Sequence, residues 1–264
     1  PIKKDRLWFF NANRYWGGQQ YGTGPWAFFN KSANPYNFEA DLSKPAFGDT
    51  WYRNINGRFT WQATSKQKVT TNLDYEAGCN CYLTISLGSP LAPEAAISFG
   101  YGWNYKNSPG MYLSQTSWTY AKTNSLLFQA TASFLKQAVT WTNAAAPGPG
   151  GFTFNGATGF GFGALPGGST SGYDDYPHRG DNFTQKASMA YVTGSHQVKI
   201  GLQTLQGWYD THGDAYPGGT NRLLNVTPTP GLILLQQYAG PFDNEVRVRS
   251  QGIFAQDQWT INRL

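Results

Sequence analysis

Histidine is the side chain with the most versatile chemistry near neutral pH, and the chain has 3 of them. His178 and His212 lie near several aspartates, which leaves a metal site in a loop open, whereas His196 lies in a predicted turn. The aspartates concerned are Asp174, Asp175, Asp181, Asp210 and Asp214. Their spacing matches no calcium-binding loop, and no histidine accompanies a nucleophile motif. The sequence therefore predicts no catalytic residue, no metal and no cofactor, and a protein that is not an enzyme.

Cys79 and Cys81 are the 2 cysteines of the chain and form a C-x-C pair. A structural zinc site needs a second pair of ligands, so a disulfide that caps a loop in an oxidising compartment is favoured over metal. The glycine-rich stretch from Gly148 to Gly168 precedes no helical pattern. It therefore predicts a flexible external loop and not a phosphate cradle.

Aromatic residues accompany polar groups in several predicted loops. Flat rings beside amides suit stacking on sugars or docking of apolar ligands, although simple packing of the loops against one another is the favoured interpretation. The candidate ligand contacts are Trp26, Trp103, Tyr105, Trp208, Tyr209 and Tyr216, and Phe28 and Phe29 share the pattern.

The composition limits the class of protein that positions these residues. Charged residues are only 13% of the chain, and aromatic residues are 16%. The chain therefore has too few charged residues to cover its surface as a soluble protein usually does. The net charge is +5, but basic residues are scattered, with the densest group at Lys3-Lys4-Asp5-Arg6, which argues against nucleic acid as a partner. The apolar run at Gly231–Leu235 is too short for a membrane helix.

Apolar and polar side chains alternate along several segments, which predicts β-strands with two different faces. From Trp51 to Thr64 one set of alternate positions is largely apolar, and the pattern resumes after a turn at 65–67. Further hairpins are predicted for Tyr112–Tyr120 with Leu126–Gln137, around a turn at 122–124, and for Asn182–Tyr191 with Val198–Thr204, around a turn at 193–195. A first strand, Arg6–Trp16, and a last one, Glu245–Ile261, complete about eight strands. The last strand has no clear orientation because both of its faces mix polar and apolar residues.

The connections between these strands alternate in length. Short turns alternate with long loops, which are predicted without regular structure at 17–49, 78–111, 142–180 and 212–244. Short turns at one rim and long extracellular loops at the other are typical of an all-β, antiparallel transmembrane β-barrel. Trp61 and Tyr120 near the turns, and Trp51, Tyr75 and Tyr112 near the loops, fit membrane interfaces. The alternative is a soluble β-sandwich that binds carbohydrate, with these rings in its core.

The polar faces of the strands are expected to line the interior of the barrel, where they meet a plug or solvent. Their role is predicted to be mainly structural, with ligand contact secondary. These lumen-facing residues are Asn54, Asn56, Arg58, Lys68, Asn72, Asp74, Glu76, Gln129 and Lys199.

Three short segments resemble TonB-dependent outer-membrane receptors. Pro1–Phe10 resembles the start of the barrel in the subgroup that carries a carboxypeptidase-regulatory-like N-terminal domain. His196–Gly201 and Ile253–Ile261 are similar to barrel strands of the same receptors. The motifs are short, but their order and spacing agree with the family.

This resemblance implies a location in the bacterial outer membrane and uptake of a large or scarce nutrient through a 22-stranded barrel. The chain is then expected to be residues 1–264 of one barrel domain, a fragment without its plug. Its implied partners are outer-membrane lipid, the plug of the same full-length protein, TonB through the N-terminal part, and an unknown extracellular ligand. A small stand-alone porin or adhesin-like barrel remains the alternative, because eight strands can close by themselves.

Overall fold

The computed structural model describes most of the chain. The described residues are 6–22, 24, 27–34, 37–82, 92–93, 97–102, 110–143, 152–155, 160–163, 177–213, 220–225, 233–238 and 242–261. Among them there is no helix with the length and hydropathy needed to cross a membrane.

The described residues form β-strands connected by turns and irregular segments. The long strands are β1 (Leu7–Tyr21), β4 (Phe47–Thr64), β5 (Gln67–Cys81), β7 (Met111–Ala121), β8 (Leu126–Asn143), β11 (Pro177–Thr193), β12 (His196–Gly213) and β15 (Phe242–Trp259). The short ones are β2 (Phe28–Asn30), β3 (Ala40–Pro45), β6 (Ile97–Tyr101), β9 (Phe152–Asn155), β10 (Gly161–Gly163), β13 (Thr220–Asn225) and β14 (Ile233–Tyr238).

The long strands form one antiparallel meander in the order β1, β4, β5, β7, β8, β11, β12 and β15. β6 extends this sheet beyond the end of β7, where it pairs with both β5 and β8. The prediction of an all-β antiparallel sheet with these strands is confirmed. β1 and β15 form the two outer edges of the described sheet.

The strands continue further into the predicted loops than the sequence pattern indicated. β1 runs to Tyr21 and β12 to Gly213. The loops are also not structureless, because β2 and β3 pair within the first connection. In the third and fourth connections, β10, β9, β13 and β14 form a separate four-stranded sheet. Paired backbone needs no side-chain alternation, so these extensions carry little sequence signal.

Short turns join the strands at one end of their length, as predicted. We call this end the short-turn edge of the sheet and the opposite end the long-connection edge. The turns lie at Ser65-Lys66, at 122–125 and at Gly194-Ser195. Gly194 has φ +55° at the first central position of its two-residue turn. A positive φ at that position alone fits a type II′ turn, whose twist suits a hairpin and which favours glycine there.

The register defines two faces, because residues directly opposite each other in an antiparallel pair share a face. The apolar face of the sheet carries Phe59, Trp61, Val69, Leu73, Trp118, Phe128, Phe134, Met189, Val198, Ile200 and Leu202. The polar face carries Asn54, Asn56, Asp74, Gln115, Gln129, Thr131, Lys186 and Lys199. The same register orients β15: Ile253 lies opposite Leu202 on the apolar face, and Phe254 lies opposite Gly201 on the polar face.

The side chains of the apolar face are exposed to the surroundings of the sheet. Phe9 is 60% exposed, Leu73 is 58% exposed and Ile253 is 91% exposed. A β-sandwich would press such a face against a second sheet and bury it. The soluble sandwich is therefore not the arrangement of this chain.

Buried residues concentrate where the long connections begin. Ala77 and Ala138 have no exposed surface, and Thr211 is 6% exposed. Gly102, at φ +105°, packs against Ala77 so closely that a Cβ there would lie 2.2 Å from the alanine methyl carbon. This end of the sheet is therefore covered by the connections, whereas its middle is open on both faces.

The long connections also contact one another. Phe38, from the first connection, lies 4.7 Å from Phe160 and 5.8 Å from Phe162, measured between ring centroids. The backbone amide of Ala92, from the second connection, donates to the carbonyl of Gly161 at 2.8 Å. We call Phe38, Ala92, Phe160, Gly161 and Phe162 the connection cluster.

Candidate functional site: the polar face

All nine polar residues predicted to line an interior lie on the polar face. β4 and β5 place Asn54 opposite Glu76, Asn56 opposite Asp74, and Arg58 opposite Asn72. Lys68, Gln129 and Lys199 follow on the same face through the pairings of β5, β7, β8, β11 and β12. Alternation alone thus brings these residues to one surface.

A hydrogen-bonded group lies on this surface between β4 and β5, the second and third strands of the meander. Asp74 accepts from the side-chain amides of Asn54, at 2.6 Å, and Asn56, at 2.9 Å. Glu76 accepts from the hydroxyl of Tyr52 at 2.8 Å and from Asn54 at 3.5 Å. The donors hold both carboxylates in place, so the group presents fixed hydrogen-bond acceptors to a ligand.

β1 extends this group with an aromatic surface. Trp16 lies opposite Tyr52, with ring centroids 6.0 Å apart and planes at 25°, and Trp16 is 50% exposed. Arg14 lies opposite Asn54 on the same face. The combination offers a flat ring, hydrogen-bond donors and carboxylate acceptors to a polar ligand.

Sequence reasoning assigned no role to Trp16, Tyr52 or Arg14. The signal was available in the alternation of β1, where Trp8, Phe10, Arg14 and Trp16 occupy alternate positions. These bulky side chains made the polar face of β1 resemble an apolar one, so the face was not assigned.

The predicted aromatic ligand contacts do not form one site in the described residues. Trp26, Trp103, Tyr105 and Tyr216 lie outside the described residues. Trp208 and Tyr209 were predicted to lie in a loop, but they are successive residues of β12. Their side chains therefore point to opposite faces of the sheet. Tyr209, on the polar face, lies 3.2 Å from Nδ1 of His178 through its hydroxyl.

The histidines are separated from one another. His178 contacts Tyr209, whereas His196 hydrogen-bonds Asp257 at 2.6 Å near the opposite, short-turn edge. His212 lies on β12 and not in a loop, with Asp243 opposite it. Within the described ranges, no three histidine, cysteine, aspartate or glutamate side chains are grouped to hold a metal.

Cys79 and Cys81 form a disulfide. They lie at the end of β5 and not in a loop, which corrects the predicted position. Cys79 is 2% exposed and lies opposite Trp51. The disulfide therefore stiffens the last residues of a strand where the second connection begins.

Two ionisable groups of the first connection have shifted pKa values. Lys31 pairs with Glu39 at 2.8 Å, and the hydrogen bond and negative charge of Glu39 raise the pKa of Lys31 above its ordinary value. The hydroxyl of Ser43 donates to Asp41 at 2.6 Å and lowers the pKa of that carboxyl. Lys31 and Glu39 are exposed, whereas the side chain of Asp41 is only 17% exposed, and neither pair belongs to the polar face.

The apolar face has the features of a surface in contact with lipid. Two pairs of polar side chains on it are joined by hydrogen bonds, Thr71 with Thr116 at 3.1 Å and Gln185 with Thr204 at 3.3 Å. At the short-turn edge, Trp259 stacks on His196, with planes at 7°. Paired polar groups and aromatic rings at an edge are expected where hydrocarbon meets water.

Comparison with solved structures agrees with this geometry. The outer membrane transporter YddB from Escherichia coli matches 96% of the chain with a TM-score of 0.57 and 10% sequence identity. The chain has the fold of an outer-membrane β-barrel. It covers 31% of the YddB chain, less than a third of that barrel protein.

A second match has a similar identity but a weaker structural agreement. The toluene transporter TbuX from Ralstonia pickettii aligns with 97% of this chain at 10% sequence identity. The alignment covers 67% of TbuX, and its TM-score is only 0.27. No protein-family model matches the sequence, and no curated protein sequence is significantly similar to it.

Proposed function

We propose that the chain is part of the barrel of a TonB-dependent receptor, and that it takes part in the uptake of a large or scarce nutrient across the bacterial outer membrane. The observation that carries this proposal is the fold likeness to a transporter of which the chain covers 31%. A meander of this extent, with β1 and β15 as outer edges, fits one sector of a larger barrel.

In this proposal the polar face lines the barrel interior and meets the plug of the same protein. The carboxylates of Asp74 and Glu76 are already held by Asn54, Asn56 and Tyr52. Because these side chains are already held in place, little conformational entropy is lost when a plug or a passing ligand binds to them. The proposed role is therefore ligand capture and passage, without catalysis.

The test measures two properties of the full-length protein: whether it contacts TonB, and whether a plug closes its barrel. Site-specific photo-crosslinking from its N-terminal part should capture TonB in cells, and the purified protein in planar bilayers should show no steady conductance because a plug fills it. Steady conductance together with no crosslink to TonB would instead indicate a stand-alone porin.

A further inference from the structure

Basic residues lie on the apolar face near its long-connection edge. One row across four strands consists of Lys136, Asp181, Trp208 and Arg247, each opposite the next. Arg249 lies one row closer to the short turns, opposite Gln206. Arginines on the lipid side of a barrel cost free energy wherever hydrocarbon surrounds them, and much less near the interface.

The height of Arg249 corresponds to the outer boundary of the hydrocarbon. It lies about ten residues along β15 from Trp259, or ~33 Å at ~3.3 Å per residue. With a strand tilt of ~40°, this is a height of ~25 Å, which equals the usual apolar band of an outer-membrane barrel. Arg249 therefore lies at the level of lipid headgroups in the external leaflet, on the side of the long connections.

The two arginines differ in their partners. Arg247 contacts Glu245 on its own strand, whereas Arg249 has no ion-pair partner within the part of the chain that is described. An anion supplied from outside the chain would satisfy Arg249, and a phosphate would accept its guanidinium hydrogen bonds in bidentate geometry.

An apolar groove lies on the same face, closer to the short turns, and it reaches β15 at Ile253, four residues along the strand from Arg249. Its volume is about 420 Å³. Its floor is formed by Ala130 and Ala187, opposite each other on β8 and β11. Its walls include Trp118, Phe128, Leu202 and Ile253. The small floor residues leave a channel between bulky neighbours, at a depth where acyl chains surround the barrel.

We propose that Arg249 and this groove bind one phosphate-bearing lipid of the external leaflet. Arg249 holds the phosphate, and one acyl chain occupies the groove over Ala130 and Ala187. Charge complementarity at the upper end and apolar lining below select a lipid over a protein segment or a second copy of the chain. The inference depends on the outer-membrane barrel and not on the proposed uptake.

The experiment measures lipid retention by the full-length protein in a mild detergent, with native mass spectrometry as the readout and added diphosphoryl lipid A as the probe. We expect the Arg249→Gln variant to retain about tenfold less lipid, since a charge-assisted hydrogen bond to phosphate is lost. Arg249→Lys should retain an intermediate amount, and Ala187→Leu, which fills the floor, should also lower retention.

The matched control is Lys122→Gln, which removes one positive charge at the short-turn edge and should leave retention unchanged. Each variant is first checked for heat-modifiable gel migration, which shows that the barrel has folded. Equal retention by Arg249→Gln and the unaltered protein would overturn the proposal. So would complete displacement by inorganic phosphate, or a dimer that dissociates on Ala187→Leu, because these identify a free anion or a second copy as the occupant.

Discussion

Gly201 is a glycine of the polar face that is tightly packed against a neighbouring ring and strand. A Cβ at Gly201 would lie 2.5 Å from the ring of Phe254 and 2.6 Å from the carbonyl oxygen of Ala187. The Phe254 ring therefore covers the backbone of β12 at this point, and the ammonium of Lys186 lies 5.5 Å from the ring centroid. Only glycine permits this close approach of an aromatic ring to a neighbouring strand.

We predict that Gly201→Ala destabilises the folded barrel by about 1–3 kcal/mol, because the backbone carbonyl cannot move away as a side chain would. The measurement is the urea midpoint in micelles, followed by tryptophan fluorescence. Gly252→Ala on the same face is the control, since nothing lies within 4 Å of a Cβ there. Equal midpoints for the two variants would show that Phe254 does not cover Gly201.

At the residue scale, the sequence predicted the faces of side chains but not their partners. Alternation was sufficient to place Asn54, Asn56 and Asp74 on one face. The hydrogen bonds of Asp74 depend on the β4–β5 register, which is set by the turn at Ser65-Lys66 together with a one-residue shift between Gln62 and Thr64, and not by composition. Trp16 was missed because an aromatic residue can lie on either face of a strand, so its type alone does not indicate which face it occupies.

At the element scale, the assignment of the two faces can be tested with one kind of substitution. Leu202 and Gln129 lie within one row of each other in height but on opposite faces. We predict that Leu202→Lys destabilises the barrel by about 2–4 kcal/mol, because it places an ammonium in hydrocarbon. Gln129→Lys should change stability by less than about 0.5 kcal/mol, because the polar face is wet.

The readout is the fraction of protein that shows heat-modifiable migration after refolding into lipid vesicles across a urea series. A larger loss for Gln129→Lys than for Leu202→Lys would reverse the two faces. The same experiment tests β15 indirectly, because its orientation is derived from its pairing with β12.

The hairpins were predictable because three short turns interrupt clear alternation. The ends of the strands were not predictable, because β12 and β15 continue beyond the hydrocarbon. There the apolar face carries polar and charged side chains, namely Gln206, Asp210, Arg247 and Arg249. There the hydrogen-bonded ladder continues while the demand for apolar side chains ceases. This mixture is also the physical reason that β15 had no orientation in the sequence.

At the scale of the whole molecule, the long connections form a structure that no single one of them specifies. β9, of the third connection, pairs in parallel with β13 of the fourth. Phe38 and Ala92 bring the first and second connections to the same place through the connection cluster. Contacts between segments so distant in sequence leave no local pattern, so the sequence predicted isolated, structureless loops.

Phe162 is the side chain on which this arrangement depends most, because it is 6% exposed and stacks on Phe160 at 5.8 Å while facing Phe38. We predict that Phe162→Ala lowers the free energy of local opening by about 3 kcal/mol, through the lost burial and the cavity left behind. Limited proteolysis of the full-length protein should then cleave the first and third connections together and faster.

Phe29→Ala is the matched control, because Phe29 lies in the first connection and is 36% exposed. It should leave the cleavage rates close to those of the unaltered protein. If Phe162→Ala accelerates cleavage of the third connection alone, the connections open independently, and the cluster does not join them. Joint acceleration would mean that they open as one unit, so that any contact that orders one connection also stabilises the other.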